Sequence, residues 1–335
     1  MVLALVFLVK RTFISKTKLN PRLNRGKNVE TNLLGINVAG LRLDNPTVLA
    51  SGILGYSAES LKRVAKGGAG AVVSKSIGIE PRVGYSNPTV IQAEAGLINA
   101  MGLPNPGIDV YTQEIKFTKT ILKVPLIVSV FGYSASDYAT VAKKAVDAGA
   151  DAVELNVSCP HVKQTGAEIG QNPKLLSEVV EQTRGVVNKP LIVKLSPNVS
   201  DITVPAKAAV EAGADALTAV NTLKAMAINT ETKKPILSNI KGGLSGAAIK
   251  PVALRCIYDI REALPDVPII GCGGITNWRD AVEFMLAGAS AIQIGTAVAL
   301  EDVEVFGAIA RGLETYVRKK DYRSVKEIVN LAHRS

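Results

Sequence analysis

Short apolar, β-branched segments alternate with amphipathic helical segments along most of this sequence, and this alternation is the feature that most restricts its fold. Eight segments are predicted as strands, and a helical segment follows each of them. Parallel strands that are buried on both faces have this near-continuous apolar character, and they require crossover helices between them. The predicted strands are residues 47–50, 71–74, 126–130, 152–155, 191–195, 216–220, 268–271 and 291–294. The predicted helices are residues 58–66, 110–122, 136–148, 173–187, 204–212, 250–264, 278–286 and 303–318.

Eight strand–helix units predict a closed (β/α)8 barrel, the TIM-barrel fold, and a doubly wound open sheet is the alternative. Residues 33–43 predict a small hairpin before the first barrel strand, with its turn at Ala39-Gly40. Residues 77–107 and 223–246 are long insertions that follow strands, and each is expected to contain a hairpin. The second hairpin is predicted to pair residues 226–229 with residues 235–237. Both insertions should lie at the C-terminal mouth of the barrel.

Basic residues are concentrated at the start of the chain. The net charge is +10, and seven positive charges lie in residues 1–28, which contain no acidic residue, so the rest of the chain carries only +3. We therefore expect residues 1–28 to be a basic, disordered extension and residues 29–335 to be the barrel domain. Nucleic-acid binding is not favoured, because the charge is confined to the extension and only 4% of residues are aromatic. The apolar run at residues 2–9 is too short to span a bilayer.

The three cysteines, Cys159, Cys256 and Cys272, are far apart in the sequence. They form neither a CxxC pair nor an even-numbered disulfide framework, which predicts a reducing, cytoplasmic environment. An iron–sulfur cluster normally takes four thiolates, so none is expected within this chain, and no metal site is predicted.

Glycines follow the last two predicted strands, as Gly273-Gly274 and as Gly295-Thr296, and residues 242–246 (GGLSG) form a third glycine-rich segment. Backbone N–H groups of glycine loops at this end of a barrel can approach a phosphate closely. The pattern therefore predicts a phosphorylated cofactor or substrate. The alternative is that these glycines only form turns.

Lys194 interrupts an otherwise apolar strand, LIVKL at residues 191–195. A buried lysine needs a partner or loses its charge. It is therefore either half of a structural ion pair or a cation placed beside a group that becomes anionic during turnover. The N1–C2=O region of a flavin is such a group.

Cys159 lies in the segment ELNVSCPH, residues 154–161, where the fourth strand ends. Pro160 has no N–H for a sheet, and residues 162–172 have the composition of a mobile surface loop. A thiol at the C-terminal end of a barrel strand is placed where barrels carry out their chemistry, and its pKa suits a general base. With only two histidines in the chain, a Cys–His hydrolase is less well supported.

Taken together, these motifs resemble class 1 dihydroorotate dehydrogenases, and specifically the catalytic subunit of the NAD-linked class 1B enzymes. The resemblance extends from about Asn32 to Leu300. The matching motifs are NAMGLPN (residues 99–105), ELNVSCP (154–160), VKLSPN (193–198), VNT (220–222), GGLSG (242–246), Gly273-Gly274 and Gly295-Thr296.

The resemblance implies an FMN-dependent oxidoreductase that converts dihydroorotate to orotate in pyrimidine (UMP) biosynthesis. Cys159 would take the C5 proton while the C6 hydride passes to FMN. A partner subunit with FAD and a 2Fe–2S cluster would pass the electrons to NAD, in a heterotetramer of two catalytic and two electron-transfer chains. The implied substrate-binding residues are Lys75, Asn99, Ala100, Met101, Gly102, Leu103, Asn156, Asn221 and Thr222. The implied FMN-binding residues are Ser51, Lys75, Ser76, Asn156, Lys194, Val220, Gly246, Gly273, Gly274, Gly295 and Thr296.

Two positions depart from the family pattern. Ser129 stands where the family usually has asparagine, and His161 stands where asparagine is common. The sequence Cys-Pro-His also occurs in dihydropyrimidine dehydrogenases, which share the fold, FMN and the cysteine, so an FMN subunit that reduces uracil or thymine is the alternative enzyme. A non-catalytic barrel that binds a phosphorylated ligand is the alternative outside the enzymes.

Overall fold

The computed structural model describes residues 32–157 and 167–333. The predictions for the basic extension, for the boundary between residues 28 and 29, and for Cys159 and His161 concern residues outside this part of the chain. Residues 162–172 were predicted to be a loop, but residues 167–171 form a short helix.

The described residues contain sixteen strands in four sheets. Eight of them, β3, β4, β7–β10, β15 and β16, form a closed parallel barrel in chain order, which confirms the predicted (β/α)8 fold. The strands are β1 Ile36–Val38, β2 Leu41–Leu43, β3 Thr47–Leu49, β4 Ala71–Val73, β5 Val90–Ala93, β6 Gly96–Asn99, β7 Leu126–Val130, β8 Ala152–Asn156, β9 Leu191–Leu195, β10 Ala216–Ala219, β11 Leu223–Ala225, β12 Ile228–Asn229, β13 Lys234–Pro235, β14 Gly242–Ser245, β15 Ile269–Cys272 and β16 Ala291–Ile294.

Helices connect the barrel strands and cover them. Several begin at a residue whose side chain binds the free N–H groups of the first turn. The Ser134 hydroxyl accepts from the Asp137 N–H, for example, and the Asp137 carboxylate accepts from the Ser134 N–H. The α-helices of the described chain are α1 Ala58–Lys66, α2 Ile108–Ile121, α3 Ala135–Asp147, α4 Ala167–Gln171, α5 Pro173–Arg184, α6 Thr203–Glu211, α7 Lys250–Ala263, α8 Trp278–Leu286, α9 Thr296–Glu301 and α10 Glu304–Lys319.

The main hydrophobic core lies between the barrel strands and these helices. Every residue of β7, β8 and β9 is buried, as expected for parallel strands covered on both faces. Polar side chains are nevertheless present among these apolar strands. Glu154, Lys194, Thr218 and Gln293 are each 5% exposed or less, so they must find their partners within the protein.

The insertions that follow β4 and β10 form additional sheets. The predicted hairpins are confirmed as β5 with β6 and, over a shorter length, β12 with β13. Residues 242–246 were interpreted as a phosphate-binding loop, but residues 242–245 form strand β14, which pairs with both β6 and β11. Glycine is required there for packing, because a Cβ at Gly243 would overlap the Thr222 side chain. The result is a four-stranded sheet in the order β11-β14-β6-β5, which we call the roof sheet.

Candidate active site

A cavity of about 450 Å³ opens at the C-terminal ends of the barrel strands. Ser51 follows β3, Lys75 follows β4, Asn156 ends β8 and Asn221 follows β10, and all four line it. On another side it is lined by Val90, Leu97 and Asn99 of the roof sheet. This is the end of a barrel at which active sites are built.

Nearly all of the predicted site residues meet in this one cavity. The exceptions are Ala100, which is fully buried in a small cluster with Ile98 and Leu237, and Cys159, which lies outside the described residues. The predicted residues that line the cavity are Ser51, Lys75, Ser76, Asn99, Met101, Gly102, Leu103, Asn156, Lys194, Val220, Asn221, Thr222, Gly246, Gly273, Gly274, Gly295 and Thr296.

Three serine hydroxyls form a connected chain at one wall of the cavity. The Ser76 Oγ lies 3.2 Å from the Ser51 Oγ and 2.9 Å from the Ser129 Oγ, and it accepts from Asn156 Nδ2 at 2.9 Å. Ser129 itself is fully buried. The serine that departs from the family pattern therefore acts on the cavity through Ser76.

Amide side chains form the neighbouring wall. Asn221 Nδ2 donates to Asn156 Oδ1 at 3.4 Å, and Asn99 Nδ2 donates to the Gly243 carbonyl of β14 at 3.4 Å. Asn198 supports this wall from behind, because its Nδ2 donates to the Thr222 carbonyl at 2.9 Å. Amides that are held in this way can present both donors and acceptors to a planar polar ligand.

A glycine-rich turn after β15 also lines the cavity. Gly274 has φ +85°, and a Cβ there would lie 2.8 Å from the Cβ of Lys250 and 2.9 Å from the Gly246 carbonyl oxygen. The turn is anchored by Asp280, whose Oδ2 accepts from the Thr276 N–H at 2.9 Å and from the Thr276 hydroxyl at 2.7 Å. Backbone amides held in a tight turn of this type suit an anionic group.

Lys194 contributes a buried cation to the floor of the cavity. Its Nζ donates to Gln293 Oε1 at 2.8 Å and lies 3.7 Å from Glu154 Oε1. Burial lowers the pKa of Lys194, but the negative charge of the Glu154 carboxylate raises it, and the net pKa lies above the ordinary lysine value. Lys194 therefore carries its charge at neutral pH.

The two described cysteines are not activated. Burial raises the pKa of Cys272 more than the Lys194 ammonium lowers it, so this thiol stays protonated at neutral pH although it lines the cavity. Burial likewise raises the pKa of Cys256, on α7, to about 11.

Comparison with known proteins agrees with this geometry. The sequence model of a family described as "Dihydroorotate dehydrogenase" matches residues 33–317, which is well over half of the chain. The chain belongs to the dihydroorotate dehydrogenase family. The family resemblance inferred from the motifs is confirmed.

Relatives within the dihydroorotate dehydrogenase family match over nearly their whole length. A protein of Pyrococcus abyssi is 52% identical over 90% of this chain and 99% of the relative. A protein of Pyrococcus furiosus is 53% identical over 89% of this chain and 98% of the relative. A protein of Methanosarcina acetivorans is 50% identical over 89% of this chain and 95% of the relative. Each is named "Dihydroorotate dehydrogenase B (NAD(+)), catalytic subunit".

Two polar residues of this family member were not selected from the sequence. Gln293 lines the cavity, and Glu154 lies behind it as a partner of Lys194. Both interrupt apolar strands, as Lys194 does, and that pattern could have identified them. Val90, Leu97 and Ile249 also line the cavity, but as apolar residues they carried no comparable signal.

No helix within residues 32–157 and 167–333 has both the length and the apolar content needed to cross a bilayer. Within the same part of the chain, no group of three or more histidine, cysteine, aspartate or glutamate residues is arranged to hold a metal ion.

Proposed function

We propose that this chain is the FMN-binding catalytic subunit of an NAD-linked dihydroorotate dehydrogenase, which oxidises dihydroorotate to orotate in pyrimidine biosynthesis. The observation that carries this proposal is the convergence of the family motifs on one cavity in a chain that is about half identical to relatives of that name. The names of those relatives favour dihydroorotate over the uracil or thymine of the alternative enzyme.

The residues of the cavity fit FMN. Its phosphate would be held by the turn at Gly273-Gly274 with Gly246, Gly295 and Thr296, where backbone N–H groups and a hydroxyl are the donors. Lys194 would stand beside the ring system, and Ser51, Lys75, Ser76, Asn156 and Val220 would complete the contacts. A bound FMN supplies the hydride acceptor. The cavity volume lies within the range of about 300–1,000 Å³ that is usual for such ligands.

The substrate would be bound by the amide wall. Asn99, Asn156 and Asn221 can pair with the ring amides of a planar pyrimidine, and the Lys75 ammonium can pair with its carboxylate. Met101, Gly102, Leu103 and Thr222 would enclose it, together with the buried Ala100 as a support of this segment.

Cys159 would be the general base that takes the C5 proton. It lies outside the described residues, so this assignment depends on the motif and on chain connectivity. Asn156 lines the cavity, and three residues span at most about 10 Å, so Cys159 is within chain reach of the same space. Cys256 and Cys272 are poor candidates, because both have raised pKa values.

The proposal also covers the electron-transfer partner of the chain, its location in the cell and its division into domains. The words "catalytic subunit" in the names of the relatives imply a partner. We propose a partner with FAD and a 2Fe–2S cluster, in a heterotetramer of two chains of each kind. The cytoplasmic location, the barrel domain at residues 29–335 and the basic extension at residues 1–28 complete the proposal.

Anaerobic mixing with dihydroorotate tests this function. The purified protein should carry FMN, and dihydroorotate should bleach its visible absorption, whereas uracil and thymine should leave the spectra of both the oxidised and the chemically reduced flavin unchanged. Cys159→Ala should retain FMN but reduce it at least about 100-fold more slowly, because general-base catalysis contributes about 10²–10⁴-fold. Cys256→Ala, which changes a buried thiol on α7, is the matched control and should react at the wild-type rate. Wild-type-like reduction by Cys159→Ala would refute the base assignment.

A further inference from the structure

A layer of buried polar groups lies within the barrel at the floor of the cavity. Glu154 on β8, Lys194 on β9, Thr218 on β10 and Gln293 on β16 form it, and Glu154 is completely buried. Lys194 and Gln293 line the cavity, while Glu154 and Thr218 lie behind them. Groups of this kind are costly to bury unless they act on one another.

The hydrogen bonds of this layer determine the orientation of the Gln293 side-chain amide. Glu154 Oε2 accepts from Gln293 Nε2 at 2.5 Å and from Thr218 Oγ1 at 2.9 Å. Because the Gln293 amide donates to the carboxylate, its oxygen is turned toward Lys194, whose Nζ donates to it at 2.8 Å. A carboxylate at position 154 therefore fixes which end of the Gln293 amide faces the ammonium.

The second carboxylate oxygen faces Lys194 directly. Glu154 Oε1 has no hydrogen-bond partner among the described residues and lies 3.7 Å from Lys194 Nζ. The separation is longer than a hydrogen bond, so the carboxylate holds the ammonium through its charge without directly occupying one of its N–H donors. Lys194 keeps donors for the cavity while its charge is balanced from behind.

We propose that Glu154, acting through Gln293 and through its own charge, is a positioning residue that keeps the Lys194 ammonium protonated at the flavin-binding cavity. This inference rests on the proposed function, because it assumes that a flavin occupies the cavity. It assigns a role to two residues, Glu154 and Gln293, that are not among the substrate-binding or FMN-binding residues implied by the family resemblance.

The groups around Lys194 limit what else could titrate there. Among the described residues, Cys272 on β15 is the other ionisable group beside the ammonium, while Thr218 on β10 and Gln293 on β16 are uncharged. In a Glu154→Gln variant, burial would act on Lys194 with little opposition, and the ammonium would lose its proton at a lower pH. The positive charge beside the flavin would then disappear as the pH rises, and the reduced flavin would lose stabilisation.

The test is the midpoint potential of the bound flavin as a function of pH, measured on the holoenzyme from about pH 6 to about pH 10. Glu154→Gln should show a downward break in potential that the unsubstituted protein lacks. Combining it with Lys194→Met should abolish the break. Thr218→Val removes a neutral partner of the same carboxylate and is the matched control, with the wild-type pH profile expected.

Two outcomes of this experiment would count against the inference. Identical profiles for Glu154→Gln and the unsubstituted protein would show that the pair is only structural, and a break that persists with Lys194→Met would assign it to another group. If Glu154→Gln binds flavin too weakly at neutral pH, recovery of binding at lower pH, where the Lys194 ammonium is protonated again, would support the proposal, and binding that is equally weak at every pH would overturn it. Absence of flavin from the unsubstituted protein would refute the proposed function as well, so the two failures are distinguishable.

Discussion

The Nζ of Lys250, the first residue of α7, lies 2.7 Å from Oδ1 of Asp280, which is in the first turn of α8. The other carboxylate oxygen of Asp280 holds the turn that begins at Gly273-Gly274, through the backbone and hydroxyl of Thr276. One side chain therefore connects two helices with the proposed phosphate-binding turn.

Asp280→Ala should weaken both the fold and FMN retention. It removes several hydrogen bonds from a residue that is 6% exposed, so we expect a loss of about 1–3 kcal/mol in the free energy of unfolding and weaker FMN binding in a fluorescence titration. Glu283→Ala is the control, because Glu283 also pairs with Lys250, at 2.9 Å, but is half exposed. Glu283→Ala should change the free energy of unfolding by no more than about 0.5 kcal/mol. Equal effects of the two changes would contradict the anchoring role.

The contribution of Asp280 to stability should depend on pH. Burial alone would raise the pKa of Asp280, but hydrogen bonds from Lys250 and Thr276 outweigh it and lower the pKa. A carboxylate with a lowered folded-state pKa stabilises the protein above its unfolded value of about 3.9, and this contribution is lost as the pH falls through the folded-state value. Urea unfolding of the wild type and of Asp280→Asn should therefore show a stability difference that shrinks as the medium becomes acidic. A difference independent of pH would argue against this account.

Gly274→Ala should be destabilising at the same turn. The φ of +85° costs an L-residue about 1–2 kcal/mol, and the added Cβ would also press on Lys250 and on the Gly246 carbonyl. We expect a lower melting temperature and weaker FMN binding. Gly185→Ala is the matched control, since Gly185 has φ −60° and no atom within 3.4 Å of the added Cβ. That change should be neutral or stabilise by about 0.4–1 kcal/mol. A tolerated Gly274→Ala would show that the turn can adopt another conformation.

Ser76→Ala should disconnect the serine chain from the amide wall. Because the Ser76 hydroxyl contacts Ser51, Ser129 and Asn156, its removal should cost about 1–3 kcal/mol of stability and raise the KM for dihydroorotate. Ser51→Ala removes only the 3.2 Å contact to Ser76 within this chain of hydroxyls and should have a smaller effect on stability. The reverse order of the two effects in chemical denaturation would disprove the central position of Ser76.

The barrel was predictable because each of its strands is marked by a local apolar pattern in the sequence. β7 and β9 were predicted at both ends, since each is a largely apolar run that begins directly after a proline, and a glycine or a serine follows within two residues of its end. The roof sheet was not, because residues 242–245 become a strand only by pairing with β6 and β11, and glycine-rich sequence has no strand propensity of its own.

The candidate site was predicted through its motifs. Ala100 was predicted to bind substrate but does not line the cavity, and the reason is geometric. Asn99 and Met101 line the cavity while Ala100 between them packs against Ile98 and Leu237, because successive residues of extended chain point to opposite sides. A motif specifies neighbouring letters without saying which of them face the ligand. The pairing of Glu154 with Lys194 was not predicted, because the two residues are far apart in the sequence and come close together only in the folded barrel.

The roof sheet also has a consequence for how the protein is made. Asn99 of β6 pairs with Gly243 of β14, although the two residues are 144 positions apart in the sequence, and both strands lie in the insertions that follow barrel strands. During synthesis on the ribosome, β5 and β6 emerge long before the strand that must complete their sheet. The nascent chain therefore cannot complete the wall that the roof sheet contributes to the cavity until β14, which ends at Ser245, has been translated.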